Sequence, residues 1–347
     1  MKICIIGDSH FGARSDSPLF LNYFFKFFDN ELFPYLKAND INTVIHLGDL
    51  FDRRKFVNFH TLKHVRERFM NWFETNSVDL HCILGNHDVF YKNTNHLNSP
   101  KELFVDCYSK FHLYEQTTEL VVADGTKFLM VPWINEENKS AVIKAIEAST
   151  APVVCGHFEL NGYEMISSIK CSSGMEDKFL QKFELVLSGH FHTKSSKGNI
   201  HYLGTQYEMT TADLHQDKGF HVYDTETREL TFIKNPHKMY YSIEWTDKRD
   251  FSDLDPTVYK NTYVRVLVLN KKNERKFDEF IDLLYTGEPA SITIIEDIVT
   301  KDDENSPEFD ISEDTLSLIN REIEFLESDN TEQLKEIMRQ VYMETLS

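Results

Sequence analysis

Five short polar motifs follow one another along the chain, and four of them come directly after a strand-like apolar run. The motifs are Asp8-Ser9-His10, Gly48-Asp49-Leu50-Phe51-Asp52, Gly85-Asn86-His87-Asp88, Gly156-His157 and Gly189-His190-Phe191-His192. Carboxylates, imidazoles and amide oxygens are the ligands that hard and borderline divalent metals prefer, and no thiolate accompanies them. Because the carboxyl ends of neighbouring strands meet at one edge of an open α/β sheet, we expect these side chains to lie close together.

Seven side chains in the motifs are candidate metal ligands, which is more than one tetrahedral ion needs. They are Asp8, His10, Asp49, Asn86, His157, His190 and His192. A set of this size suits two ions about 3.5–4 Å apart that share a bridging carboxylate. Any one of these motifs, found alone, is more often a solvated turn than part of a metal site. The prediction of a dinuclear centre therefore depends on all five motifs occurring in order at strand ends.

The series D-x-H, GDxxD, GNHD, GH and GHxH resembles that of the calcineurin-like metallophosphoesterases. Longer segments are similar to the SbcD/Mre branch of DNA double-strand-break-repair nucleases, and within it to the nuclease subunits of T-even-type phage recombination endonucleases. These segments are GDSHFGARSD, GDLFDRRKF, GNHDVFYKN, VPWINEEN, GHFELNGY, SGHFHT and YLGTQYEMT. The resemblance covers most of 1–235, whereas the remainder matches in layout alone.

The resemblance implies a fold, a metal and a set of ligands. The fold would be a two-sheet β-sandwich flanked by helices, and the metal would be manganese. One ion would be held by Asp8, His10, Asp49 and His192, and the other by Asp49, Asn86, His157 and His190. Asp49 would thus bridge the two ions.

The resemblance also implies the reaction, which is hydrolysis of DNA phosphodiesters. It indicates 3′-to-5′ exonuclease action on duplex ends and endonuclease action on single strands. Two cations would lower the pKa of a bridging water, so that hydroxide forms near neutral pH. His87 would contact the scissile phosphate or the leaving oxygen, and Asp88 would hydrogen-bond the His87 imidazole and set its tautomer.

The elements that must position these motifs alternate between short apolar runs and helix-length stretches, which is typical of an α/β domain. Strands are predicted over 2–6, 43–47, 79–84, 127–131, 152–155 and 185–188, and a hairpin over 219–232. The aromatic-rich segment 19–36 and the segment 59–73 are predicted helices. For both helices, packing in the core and contact with a partner are the two interpretations of the apolar face.

We divide the chain into a nuclease domain (1–235), a small α+β capping domain that would position DNA (236–300), a linker (301–313) and a helical tail (314–347). In the capping domain, strands are predicted over 263–269 and 291–295 and a helix over 271–285. Helices predicted over 314–327 and 331–346 cannot bury their apolar faces alone. These helices either pack back on the rest of the chain or bind a partner. The resemblance implies that this partner is a coiled-coil ATPase of the SbcC/Rad type.

The net charge of −19 argues against strong binding to bare DNA, although residues 301–347 alone carry 14 acidic and 4 basic side chains. Seven residues beside the motifs are candidate DNA contacts, namely Arg53, Arg54, Lys55, Tyr91, Lys92, Lys194 and Lys197. The family forms homodimers through helices after the second and third motifs. Here the candidate surfaces are 59–73 and the segment around Leu97, Leu103 and Phe104.

The composition is 41% hydrophobic and 27% charged, which is ordinary for a soluble globular protein of 347 residues. No long apolar run predicts a membrane span, and the apolar run before Asp8 is too short for a signal peptide. We therefore expect a cytoplasmic protein, in the host cytoplasm if a phage encodes it. Five dispersed cysteines indicate reduced thiols, with Cys4, Cys82 and Cys155 buried in strands.

Two alternatives to a nuclease remain open. The first is another dinuclear phosphoesterase, either a phosphatase or a cyclic-nucleotide phosphodiesterase. Phosphoprotein phosphatases place Gly after the Arg of the second motif and read Gly-Asn-His-Glu, whereas this chain has Arg54 and Asp88. The second is a scaffold that keeps the fold without the activity. Mutational drift in such a protein would be expected to lose some of the metal-ligand residues, whereas all seven are present here.

Overall fold

The computed structural model describes residues 1–166 and 169–296, together with Ile323, Thr331, Leu334, Lys335, Ile337 and Met338. The predicted linker lies outside the described residues, as do the predicted helices 314–327 and 331–346 apart from those single positions. The described residues form two compact units, one within Met1–Met209 and Gln216–Lys238 and one of Thr210–His215 with the described residues from Met239 onward. The roles assigned to 236–300 and to the tail stay predictions.

One six-stranded sheet of the first unit carries the first three motifs at strand ends. Its parallel part consists of β1 (Lys2–Ile6), β2 (Thr43–His46), β3 (Asp79–Ile83) and β4 (Phe111–Tyr114). The predicted hairpin, formed by β13 (Gly219–Asp224) and β14 (Glu229–Lys234), pairs antiparallel with β1. The spatial order is β14-β13-β1-β2-β3-β4. Every residue of β1 and β2 except Lys2 is buried, as expected for parallel strands covered on both faces.

A second six-stranded sheet carries the last two motifs. Its strands are β5 (Thr118–Val121), β6 (Lys127–Val131), β7 (Val153–His157), β10 (Leu185–Gly189), β11 (Ser195–Lys197) and β12 (Ile200–Tyr202). The spatial order is β11-β12-β10-β7-β6-β5. β7 and β10 are parallel neighbours in which Gly189 pairs with His157, so both motifs leave the sheet at the same edge. The short hairpin β8 (Glu164–Ile166) and β9 (Ile169–Lys170) follows β7.

The two sheets share one buried core. Ile5 and Ile45 of the first sheet lie in the same buried apolar cluster as Val153 and Leu187 of the second. Burial of such side chains is the main favourable contribution to folding, at about 25 cal/mol per Å² of apolar surface. The predicted two-sheet sandwich with flanking helices is therefore confirmed.

Two aromatic-rich segments of the first unit each place a π-helical turn between two α-helices. They are α1 (Pro18–Phe27), Phe28–Leu32 and α2 (Phe33–Ala38) in the first, and α3 (Phe59–His64), Val65–Met70 and α4 (Asn71–Asn76) in the second. The Phe28 and Phe69 rings lie 5.0 Å apart, and Phe27 contacts Phe220 of β13 at 6.0 Å. Both helix predictions are confirmed, and these aromatic side chains pack in the core.

The first unit also contains two further helices and a left-handed turn. The second of these helices and the turn were not predicted, whereas the first lies in the segment around Leu97, Leu103 and Phe104 that the resemblance indicates as a candidate dimer surface. The helices are α5 (Ser99–Phe104) and α6 (Lys139–Ala148). Val142 and Ile146 of α6 lie in a buried cluster with Val154 of β7. The turn Ala13–Asp16 follows the first motif and has left-handed backbone at Arg14, Ser15 and Asp16.

Between Met239 and Glu296, the second unit contains a three-stranded parallel sheet and an α-helix. The strands β15 (Tyr240–Thr246), β16 (Tyr263–Asn270) and β17 (Ser291–Glu296) lie in that order. The helix α7 (Glu274–Thr286) begins at Asn273, whose side chain accepts a hydrogen bond from the Lys276 amide, as N-caps do. Trp245 and Phe280 are buried between sheet and helix. The structure confirms the two predicted strands and the helix, and adds β15.

The described cysteines are all free, and Cys4, Cys82 and Cys155 are buried as expected. Within the described part of the chain, no helix is long and apolar enough to cross a membrane.

Candidate metal centre

All five motifs meet beyond the ends of β1, β2, β3, β7 and β10. Two groups of side chains there could each hold a metal ion, because one ligand atom from every member lies within 4.8 Å of those of the others. The His10 group consists of Asp8, His10 and His192, and the His157 group consists of Asp49, His157 and His190. The structure thus brings together the side chains that the motifs single out.

Asp49 lies between the two groups. Its Oδ2 atom is 3.6 Å from His10 Nε2 and 3.3 Å from His157 Nε2. In the His10 group, the Nε2 atoms of His10 and His192 approach to 3.0 Å, a distance at which both lone pairs can face one ion. A single carboxylate oxygen therefore faces a histidine of each group, which is the geometry that a bridging ligand requires.

Asn86 completes the His157 group. Its Oδ1 atom lies 2.9 Å from His157 Nε2 and 2.8 Å from His190 Nδ1. An amide oxygen and two imidazole nitrogens therefore converge, and Asp49 Oδ2 is close by. All seven side chains predicted as ligands lie in this one cluster.

Several residues of the centre have left-handed backbone, which ordinary residues adopt at a cost of about 1–3 kcal/mol each. The φ angles are 43° at His10, 52° at Asp49 and 86° at His190. Gly48 precedes Asp49 with a φ of 95°, and a Cβ atom there would lie 2.6 Å from the Gly85 nitrogen. The strand-to-loop turn therefore requires glycine at position 48, and the strained residues lie where side chains must be aimed precisely inward.

The electrostatics of the centre favour bound cations. Burial raises the pKa of the Asp8 carboxyl to about 7, even though His157 and His10 oppose the shift. Burial also opposes charge on His157, but the neighbouring Asp49 outweighs it and raises the pKa of His157 to about 9. Buried carboxylates are costly without positive charge. The donor set therefore fits divalent metal ions, which would supply that charge.

Comparison with known proteins agrees with this geometry. The family model of the calcineurin-like phosphoesterases matches residues 1–194. The chain belongs to this family. It is also 32% identical over 345 residues to exonuclease subunit 1 of Enterobacteria phage T4, covering 99% of each chain. These matches confirm the family resemblance that the sequence motifs indicated. A solved structure of an archaeal phosphodiesterase covers 68% of this chain and 100% of its own, but at 16% identity and a TM-score of 0.33 it adds nothing.

Backbone carbonyls orient two histidines of this phosphoesterase. His157 Nδ1 lies 2.7 Å from the Leu47 carbonyl oxygen, so a proton on Nδ1 leaves Nε2 free to face Asp49 and Asn86. His87 Nδ1 lies 2.6 Å from the Asp52 carbonyl oxygen, and the His87 amide donates to Asp49 Oδ1. Such supporting contacts fix both tautomer and ring orientation. Burial lowers the pKa of His87.

Asp88 does not have the role predicted for it. Its buried carboxylate accepts hydrogen bonds from backbone amides of both loops, at 2.8 Å from Asp49 and Gly85 and 2.9 Å from Leu50. The prediction that Asp88 hydrogen-bonds the His87 imidazole is wrong, because these amides occupy both carboxylate oxygens. Burial, followed by the nearby Asp49, raises the pKa of Asp88 to about 7. Asp88 therefore links the two loops through their backbone amides, and the backbone carbonyl of Asp52 orients the His87 ring.

Two supporting residues have no role in the sequence-based prediction. Asp52 Oδ1 lies 3.3 Å from His10 Nδ1, so it orients that ligand. The second carboxylate of the GDxxD motif is the signal that could have indicated it. His46 is fully buried, with Nε2 at 2.8 Å from Ser9 Oγ and Nδ1 accepting from the Gly48 amide. Burial lowers the pKa of His46 to about 3, so it is a neutral link between the first and second motifs.

The predicted DNA contacts differ in how they are engaged. Arg53 forms an ion pair with Asp16 at 3.0 Å. Lys194 lies 3.4 Å above the Phe232 ring, and Lys197 is 3.6 Å from Asp177 Oδ2. Lys92 and Tyr91 are exposed, whereas Arg54 and Lys55 line an apolar groove described below. The role of all seven in DNA binding stays a prediction.

Proposed function

We propose that this phosphoesterase is a DNA nuclease that uses two Mn²⁺ ions. The observation that carries the proposal is the position of Asp49 Oδ2 between the His10 and His157 groups. The relative named exonuclease subunit 1 supports DNA as the substrate. We assign Asp8, His10, Asp49 and His192 to one ion, and Asp49, Asn86, His157 and His190 to the other.

The bound ions would neutralise the phosphodiester and lower the pKa of the attacking water. The chain itself supplies His87, whose ring lies 4.9 Å from that of His10 and is half-buried. Because Nδ1 faces the Asp52 carbonyl, Nε2 is the nitrogen left for the substrate. When protonated, Nε2 would stabilise charge on the phosphate or donate its proton to the leaving 3′-oxygen.

We further propose that DNA access depends on a partner subunit, an ATPase of the SbcC/Rad type. The chain carries a net charge of −19, so few favourable phosphate contacts are available to it alone. The relative is named as a subunit, which supports a complex. The tail beyond 313 is the segment that we expect to bind the ATPase, with 3′-to-5′ exonuclease and single-strand endonuclease action in the host cytoplasm.

A homodimer is the other assembly that we propose. An apolar groove of about 240 Å³ lies beside α3 and α5, and its lining includes Phe56, Phe59, Leu97 and Leu103. Phe59 is 87% exposed and Phe56 is 63% exposed. Large aromatic side chains left in water at one site favour burial in an interface. The groove includes Leu97 and Leu103, which the family resemblance makes candidate dimer contacts.

Cleavage of a 5′-labelled linear duplex in Mn²⁺ tests the nuclease proposal. An EDTA lane and an Asp49→Asn variant are the controls, and the ATPase partner is absent in one series and present in the other. A ladder that shortens from the 3′ end and is lost in both controls would support the proposal. Hydrolysis of bis-p-nitrophenyl phosphate without DNA cleavage in either series would refute DNA as the substrate.

A further inference from the structure

Trp133 contacts one of the two ligand groups and lies in the VPWINEEN segment between β6 and α6. Its ring lies 5.3 Å from that of His190 and 6.0 Å from that of His157. Its backbone amide donates to the Leu84 carbonyl at 2.7 Å, directly before the loop that carries Asn86. Trp133 therefore touches segments that carry three members of the proposed ligand set of one ion.

A network of asparagine side chains fixes the backbone at Trp133. The Trp133 carbonyl accepts hydrogen bonds from Asn95 Nδ2 at 3.0 Å and from Asn138 Nδ2 at 2.9 Å. Asn135 Nδ2 donates to Asn95 Oδ1 at 2.8 Å, and Asn98 Nδ2 donates to the Asn95 carbonyl at 2.9 Å. Asn95, Asn98 and Asn135 are buried. Buried amides are favourable only when they are hydrogen-bonded, so this network defines a single conformation of the segment.

We propose that Trp133 is a positioning residue for the ion held by Asp49, Asn86, His157 and His190. The ring restricts the orientations of the two imidazoles, and the amide contact keeps the Asn86 loop next to them. The inference rests on the proposed ligands but not on DNA being the substrate. Among the described ring contacts, Trp133 has none with His10 or His192, so the effect should be confined to one ion.

The test is a titration of the metal-free protein with Mn²⁺, followed by calorimetry. The variants are Trp133→Ala, Trp133→Phe and Asn135→Ala. The matched control is Trp72→Ala, because Trp72 is also half-buried but stacks on Phe33 at 4.1 Å, away from the centre. Electron paramagnetic resonance of the coupled Mn²⁺ pair provides a spectroscopic signature that general destabilisation does not mimic.

We expect Trp133→Ala to weaken one Mn²⁺ site by about tenfold or more, as loss of a supporting contact does, and to leave the other nearly unchanged. Trp133→Phe should largely restore binding, Asn135→Ala should reproduce the loss in weaker form, and Trp72→Ala should bind both ions normally. At saturating Mn²⁺, kcat of Trp133→Ala should recover.

Equal weakening of both sites, or unchanged Mn²⁺ binding with a raised KM for DNA, would overturn the positioning role. If Trp133→Ala does not fold, Asn135→Ala decides, and normal binding of both ions by that variant would also overturn the inference. If the wild-type protein binds two ions but does not cleave DNA, the nuclease proposal is refuted and the positioning role of Trp133 is not affected.

Discussion

Asp49 Oδ2 faces a histidine of both the His10 group and the His157 group, but the two groups differ in what surrounds them. His10 is supported by the carboxylate of Asp52 at 3.3 Å, and its ring lies beside His87. His157 is supported by the neutral Leu47 carbonyl and by the Trp133 ring. The His10 side thus has the Asp52 carboxylate and the proposed acid beside it, whereas His157 Nδ1 faces a neutral carbonyl at 2.7 Å and the Asp8 carboxylate only at 3.7 Å. An ion held by the His10 group would therefore lie beside the His87 ring, and an ion held by the His157 group would lie beside the Trp133 ring.

Asp49→Ala should affect both groups equally, because each loses the carboxylate oxygen that faces its histidine. We expect both Mn²⁺ ions to be lost and DNA cleavage to fall about a thousandfold or more, since bound ions supply several kcal/mol of transition-state stabilisation. Metal analysis and cleavage rates check this. Asp106→Ala, an exposed carboxylate, is the control. Retention of two tightly bound ions would refute the bridge.

His87→Ala should separate chemistry from metal binding. Cleavage should fall by about 10²–10⁴-fold, the usual contribution of a positioned acid or base. Both Mn²⁺ sites should keep their affinity, because His87 is not among the proposed ligands. Activity assays and metal analysis on the same preparation check this, with the exposed His96→Ala as control. A parallel loss of bound metal would show that His87 acts as a ligand.

Asp52→Asn should be the counterpart of the Trp133 substitution, because it acts on the other group. We expect Mn²⁺ affinity at the His10 group to fall by about tenfold, as loss of a charged supporting contact does, while the His157 group stays nearly unchanged. Calorimetric titration measures both. Asp79→Asn removes a carboxylate 2.8 Å from His112 elsewhere in the first unit and serves as the matched control. Equal loss at both groups would contradict the comparison.

The smallest expected effect is a pH dependence of the metal-free protein. For His10, burial opposes protonation, but the neighbouring carboxylates of Asp52 and Asp49 raise the pKa to about 9. The usual value is about 6.5. The folded state therefore favours the protonated form, and its contribution is complete below pH 6.5 and lost as pH rises through about 9. His157, also raised to about 9, acts in the same direction.

Thermal unfolding in EDTA should thus shift down by a few degrees between pH 6.5 and 9, and added Mn²⁺ should remove most of that shift. Differential scanning calorimetry measures it at several pH values. A melting temperature that stays level or rises across this range in EDTA would show that the buried carboxylates do not depend on protonated histidines.

The strand pattern predicts the cluster well because strand ends place their following residues at one edge, whereas the two-sheet sandwich was implied by the family resemblance. The chain order of the motifs was sufficient to bring Asp8 and His190 together, although they are 182 positions apart. β15 was not predicted, nor were the short strands β4 and β5. In β4 and β5, four residues each and partly exposed, the apolar signal is too short to distinguish from loop.

Partners of side chains were harder to predict than positions. Asp88 adjoins His87 in sequence, but its carboxylate accepts hydrogen bonds from loop amides while the imidazole faces the Asp52 carbonyl. Trp133 lies in a loop where no periodicity indicates what an aromatic ring contacts. His46 ends a buried strand, and only the path of the first motif loop shows that Ser9 meets it. These contacts depend on loop paths, which local sequence patterns do not encode.

The hydrogen bonds to Asp88 bear on attempts to transplant this centre. One carboxylate joins amides of the second motif loop to the Gly85 amide of the third. A chimera whose third loop lacks a carboxylate at position 88 would leave buried N–H groups of both loops without acceptors, at about 1–3 kcal/mol each. Recombination between related chains should therefore preserve the centre only when the incoming third loop also supplies a carboxylate at position 88.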